Sequence, residues 1–126
     1  MEKANILVVD DDPKLSHLVK LFLESTSLYR VVEENRSSHA VDTARGLRPA
    51  AILLDVDMPG KDGGQVALEL SADPQLHNCP VLFLTSLIGV DEAGDREVMH
   101  GGHPFLAKPV NPTVLVEAVA RLIQKN

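Results

Sequence analysis

Five short apolar runs, most of them unbroken, limit what this chain can fold into: residues 6–9 (ILVV), 29–32 (YRVV), 51–54 (AILL), 81–84 (VLFL) and 105–107 (FLA). A strand with one wet face alternates apolar and polar residues, whereas an unbroken run signals a strand covered on both faces. Between the runs the spacing turns helical. Leu15, Leu18, Val19, Phe22 and Leu23 fall at i, i+3, i+4, i+7 and i+8, which makes one apolar stripe. Pro13 suits the first turn of that helix, where its missing N–H would have no partner. Residues 38–47 read as a second helix closing near Gly46 and Pro49, and 64–70 as a third. The last spans 112–125, with Leu115, Ala118, Val119 and Leu122 inward. The fourth helix, 91–100, is the weakest: Ala93, Val98 and Met99 are its core candidates. Gly94 interrupts it at a cost of about 1 kcal/mol relative to alanine. This segment is expected to be the least stable.

Strand–helix alternation repeated five times implies a parallel sheet with right-handed crossovers. The expected class is α/β, a flavodoxin-like (βα)5 doubly wound parallel sheet with strand order 2-1-3-4-5. The 126 residues fit one domain, 1–126, and such a length needs no disulfide or metal staple. The single cysteine, Cys79, excludes a disulfide framework and a Cys-rich zinc site, and suits a reducing cytosol. No apolar run approaches the ~18 residues of a membrane helix, and the first five residues carry no signal-peptide pattern. The cytoplasm is the expected compartment, with no membrane contact. The net charge is −6, and the aromatic rings are Tyr29, Phe22, Phe83 and Phe105 alone. That argues against a nucleic-acid surface.

The polar residues that end the apolar runs are not scattered. Asp10, Asp11 and Asp12 follow the first run, Asp55 the third, Thr85 and Ser86 the fourth, and Lys108 the fifth. In a parallel sheet these positions share one edge, where ligands bind at the switch point between strands one and three. Clustered carboxylates repel and raise one another's pKa unless a cation joins them. A hard divalent ion with oxygen ligands meets that need, and Mg²⁺ or Mn²⁺ is the expected cofactor. A carboxylate can also attack phosphorus to give an aspartyl phosphate, while the ion and a lysine neutralise the charge on the phosphoryl group. Asp12 before Pro13 reads as a helix cap, and Asp62-Gly63 as turn chemistry.

The segments ILVVDDDP (6–13), ILLDVDMPGKDG (52–63), PVLFLTS (80–86) and FLAKP (105–109) together resemble the receiver domain of two-component response regulators. One such motif is weak, but four in order along nearly the whole chain are specific. The resemblance implies that Asp55 is the phosphoacceptor. Asp10 and Asp11 would be the metal-binding acidic pair, Asp11 the direct ligand and Asp10 acting mainly through water. Asp57 would lend its backbone carbonyl to the metal. Thr85 would move its hydroxyl onto the phosphoryl group, Ser86 would border that group, and Lys108 would be its ion-pair partner before a cis bond to Pro109. Phe105 takes the place of the switch aromatic, usually tyrosine, so only ring packing remains as its signal. The implied partners are a histidine kinase or a histidine phosphotransfer protein, a downstream effector, and a second copy. That homodimer would form through the face of the fourth helix, fifth strand and fifth helix. The chain would catalyse its own phosphorylation and slow dephosphorylation without being a turnover enzyme.

Two other readings compete. Asp55-Val56-Asp57 also fits the Asp-x-Asp signature of haloacid-dehalogenase-type phosphatases, but that family places its nucleophile early and its acidic pair after the lysine. A degenerate receiver that only binds partners would lack the acceptor or the acidic pair, and this chain keeps both. The histidines read as surface or loop residues: neither His17 nor His39 is followed by an acidic residue, and His100 and His103 have no third ligand. Cys79 beside Pro80 reads as a buried or half-buried, inert thiol.

Overall fold

The computed structural model describes residues 2–86, 98–100 and 102–124. The five apolar runs become the parallel strands β1 (Ala4–Val9), β2 (Tyr29–Glu34), β3 (Ala51–Asp55), β4 (Val81–Thr85) and β6 (His103–Ala107), with a short β5 (Val98–His100) before the last. The sheet order is β2-β1-β3-β4-β6-β5. Its five parallel strands therefore follow the expected 2-1-3-4-5 order, and the fold is flavodoxin-like. The helices are α1 (Pro13–Glu24), α2 (Ala40–Leu47) after a 3₁₀ turn at Ser37–His39, α3 (Gly63–Ala72) and α4 (Pro112–Gln124). Among the described residues no helix is long and apolar enough to cross a membrane.

Strand periodicity sorts the core into two layers. Ile6, Val8, Leu53, Leu82 and Leu84 pack under α1 and α4, against Val19, Leu23, Leu115, Val119 and Leu122. Their neighbours Leu7, Val9, Ile52, Leu54 and Phe83 face the other way, against Ala40 and Ala44 of α2 and Val66 and Leu70 of α3. Both faces are dry, which is why the runs do not alternate.

Two local expectations are corrected. On α1 the fully buried positions are Ser16, Val19 and Leu23, while Leu18 is 43% exposed. The helix is rotated toward β2 because Ser16 Oγ donates to Glu33 Oε1 at 2.7 Å, so a buried polar anchor sets the inward face. The expected fourth helix does not reach residue 100. Residues 98–100 pair antiparallel with β6, with His100 opposite His103, and Gly102, at φ +82°, supplies the left-handed backbone of the tight turn. Met99, a core candidate by spacing, is 54% exposed. Residues 91–97 lie outside the described residues.

Candidate functional site

Strand register brings the polar residues together. Val9 pairs with Leu54, Asp55 with Leu84, and Thr85 with Ala107, so Asp10, Asp55, Thr85 and Lys108 arrive at one edge of the sheet. Asp10, Asp55 and Thr85 are buried and Asp11 is exposed. One carboxylate oxygen from each of Asp10, Asp11 and Asp55 lies within 4.8 Å of the other two. Lys108 Nζ donates to Asp55 Oδ1 at 2.9 Å and sits 3.1 Å from Asp10 Oδ2. The lysine's own N–H is fixed on the Thr85 carbonyl at 2.9 Å, and its bond to Pro109 is cis, as the resemblance implied.

Burial dominates the electrostatics. It pushes the Asp55 carboxyl up to about 6, and the Asp10 charge pushes the same way, against the opposing hydrogen bonds from Lys108 and the Asp57 N–H. Burial pulls Lys108 down, but its contacts with Asp55 and Asp10 outweigh that and leave its ammonium held above the ordinary lysine range. Two buried carboxylates thus share one ammonium, and the Asp11 carboxylate adds a third negative charge beside them. Asp10 Oδ1 accepts the Asp12 N–H at 2.9 Å. Asp10 Oδ2 is buried without an aligned hydrogen bond, despite its ion-pair distance to the lysine. Hard oxygen donors in close range, surplus negative charge and an orphaned buried oxygen fit a small divalent cation such as Mg²⁺.

The two oxygens of the Asp55 carboxylate differ. Oδ1 takes both the Lys108 ammonium and the Asp57 N–H, the latter at 3.3 Å, while Oδ2 has no hydrogen-bond partner among the described residues. Asp57 and Ser86 are exposed beside the site. Phe105 lies lower on β6, opposite Phe83, with ring centroids 4.8 Å apart in a stacked arrangement. It is grouped with the core rather than with the carboxylates.

Asn35 and Gln65, which help hold the site, escaped the reading of the sequence. Asp62-Gly63, read there as turn chemistry, forms the start of α3 packed on the strand end. Asn35, just past β2, donates from Nδ2 to the Asp10 carbonyl at 2.8 Å and to Ser16 Oγ at 2.9 Å. Its position at the carboxyl end of the strand beside β1 was the available signal. Gly63 begins α3 directly against the strand end: its N–H donates to Val56 O at 2.9 Å. A Cβ there would overlap Asp55 O and stand 2.8 Å from Val56 Cα. Asp62 and Gln65 complete a reciprocal capping box around that approach.

The residues set aside stay peripheral. Asp12 caps α1, accepting the Lys14 N–H at 3.0 Å. His17 lies 3.2 Å from Glu33 on the surface, and His103 meets the Phe83 ring edge-on. Burial pushes the Cys79 thiol up to about 11, so it is neutral and unreactive at neutral pH.

Residues 6–120 match the family model of the response regulator receiver domain. The chain is 32% identical to response regulator Rre1 of Synechocystis over 98% of its own length and 53% of that protein's. It is 29% identical to protein PilH of Pseudomonas aeruginosa, over 92% of this chain and 94% of PilH. Among solved structures, chemotaxis protein CheY4 of Vibrio cholerae superposes with a TM-score of 0.81 at 26% identity, covering 96% of this chain and 99% of that one. The chain spans about half the length of Rre1 and nearly all of PilH.

Proposed function

The chain belongs to the family of response regulator receiver domains, and on that basis we propose that it is a phosphoacceptor switch, taking a phosphoryl group from a partner histidine onto Asp55. The observation that carries this reading is the asymmetry of the Asp55 carboxylate. Oδ1 is tied to Lys108 and to the Asp57 N–H, which leaves Oδ2 with its lone pairs available. Oδ2 forms the O–P bond as the N–P bond of the donor breaks. The electron pair returns to the donor imidazole nitrogen, which takes a proton from solvent. A carboxyl held near 6 is mostly ionised at cytoplasmic pH, so the nucleophile needs no general base.

Lys108 Nζ, already on Oδ1, stands where it can also reach an oxygen of the arriving phosphoryl group. Asp10, Asp11, Asp55 and the Asp57 carbonyl would hold Mg²⁺ or Mn²⁺, which supplies neutralisation of phosphoryl charge. The Thr85 hydroxyl then donates to a phosphoryl oxygen, beside the small Ser86, and Phe105 repacks against the space that Thr85 leaves. The signal is read at the face of β6 and α4, the strand and helix of the switch face that the resemblance implies, by a downstream effector or a second copy. The donor is a histidine kinase or a histidine phosphotransfer protein, in the cytoplasm, and residues 1–126 act as one receiver domain with no direct nucleic-acid contact. The chemistry is one turnover on the protein itself, not conventional enzyme turnover.

Incubation with Mg²⁺ and a small acyl phosphate tests this. Intact mass should show one phosphoryl adduct on the wild type, lost on chelation of Mg²⁺ and absent in Asp55→Asn. An unmodified wild type, or equal labelling of Asp55→Asn, overturns it. Steady turnover of a phosphate monoester would favour the phosphatase reading instead.

A further inference from the structure

The backbone ladder between β1 and β2 stops at the acidic pair. Its rungs run from the Ala4 N–H to Leu28 O and on to the Asp10 N–H to Glu34 O, each 3.1 Å. The next rung of a parallel ladder would bring the Arg36 N–H to the Asp10 carbonyl. The Arg36 N–H instead turns back to Glu34 Oε2 at 3.0 Å. Asn35 fills the gap: its Nδ2 donates to the Asp10 carbonyl at 2.8 Å and to the fully buried Ser16 Oγ at 2.9 Å. Ser16 Oγ commits its own proton to Glu33 Oε1 at 2.7 Å. A carbonyl can only accept, and the serine proton is already used, so both contacts require the NH₂ end of the amide.

We infer that Asn35 is a positioning residue of the acidic site: its side-chain amide completes the rung the backbone omits and fixes the peptide plane between Asp10 and Asp11. Both carboxylates hang from that peptide. Asp10 has its Asp12 contact to steady it, but the exposed Asp11 side chain makes no hydrogen bond or ion pair among the described residues. Only the backbone aims Asp11 at the other two carboxylates. Without Asn35 the Asp10 carbonyl loses its partner and the peptide can rotate, which carries Asp11 out of the cluster. Groups that orient metal ligands from behind are typically worth about 10–100-fold in metal affinity.

The inference rests on the reading of Asp10, Asp11 and Asp55 as a Mg²⁺ site, and the test separates the two. The dissociation constant for Mg²⁺ alone is measured by calorimetry, alongside thermal melting in EDTA, for wild type, Asn35→Ala and Asn35→Asp. Charge alone would make Asn35→Asp bind the cation more tightly, because it adds a carboxylate beside the cluster. Positioning makes both variants bind about 10-fold more weakly. A purely structural role would lower the EDTA melting temperature and leave the dissociation constant unchanged. Unchanged affinity in Asn35→Ala, or tighter binding in Asn35→Asp, overturns the assignment while the metal reading stands. A wild type that binds no Mg²⁺ removes the metal reading, and the role of Asn35 falls with it. If Asn35→Ala does not fold, Ser16→Ala takes away the second partner of the amide together with the Ser16–Glu33 hydrogen bond. Glu33→Gln, which keeps Ser16, serves as the control for that loss. Weaker Mg²⁺ binding in Ser16→Ala than in Glu33→Gln supports the assignment, and equal binding in the two overturns it.

Discussion

Burial lifts the Asp55 carboxyl to about 6, so at neutral pH the fold carries a charge that it would hold more easily as the neutral acid. The folded pKa lies above the unfolded value, and between them the native state binds the extra proton. Stability of the metal-free protein should therefore fall as pH rises from about 4 to 6, and stay lower above that. Asp55→Asn removes the charge and should stabilise the protein in thermal melts in EDTA at pH 7.5, by at most about 3 kcal/mol since it also loses the Lys108 ion pair. The gain should vanish near pH 4; a variant less stable than wild type at pH 7.5 would refute this account. Asp10, Asp55, Thr85 and Lys108 were legible in the sequence because each directly follows an apolar run. Asn35 was not, because its role depends on a missing backbone rung, and no local pattern encodes an absence.

At the scale of elements, the site depends on how closely α3 starts beside β3. Gly63 lets the helix N-terminus touch the backbone of Asp55 and Val56, where a Cβ would find only main chain to displace. Gly63→Ala should push the strand end aside, cost about 1–3 kcal/mol in chemical denaturation, and slow labelling by acyl phosphate more than the stability loss explains. Unchanged stability together with unchanged labelling would show that the loop gives way freely. Helix positions were readable from spacing, and the buried face of α4 matches that reading residue for residue. The rotation of α1 was not, because a stripe wider than the contact leaves several inward faces open, and the Ser16–Glu33 hydrogen bond selects one. The β5–β6 hairpin was missed for a related reason. Val98 and Met99 fit a weak helical spacing, while the pairing of His100 with His103 is a contact between strands.

For the whole molecule, a cation held by the carboxylate cluster would couple its binding to folding. The three groups meet only in the folded chain, so an ion held by all of them binds the native state alone. Raising free Mg²⁺ to a hundred times its dissociation constant should add about 2.7 kcal/mol of stability. NaCl at matched ionic strength should add much less, because buried charges are poorly screened. Equal stabilisation by both salts in thermal melts would mean general screening rather than a site.

The sequence by itself determined the α/β class, the strand order and the edge at which the polar residues gather. Those follow from runs and periods along the chain, and from the fixed handedness of parallel crossovers. Only the tertiary structure decided which oxygen of Asp55 is tied, which face of α1 turns inward and what holds the Asp10–Asp11 peptide. Each depends on a partner remote in sequence: Lys108 for Asp55, Glu33 for Ser16, Asn35 for Asp10. Distance and angle between such partners exist only once the sheet has set its register.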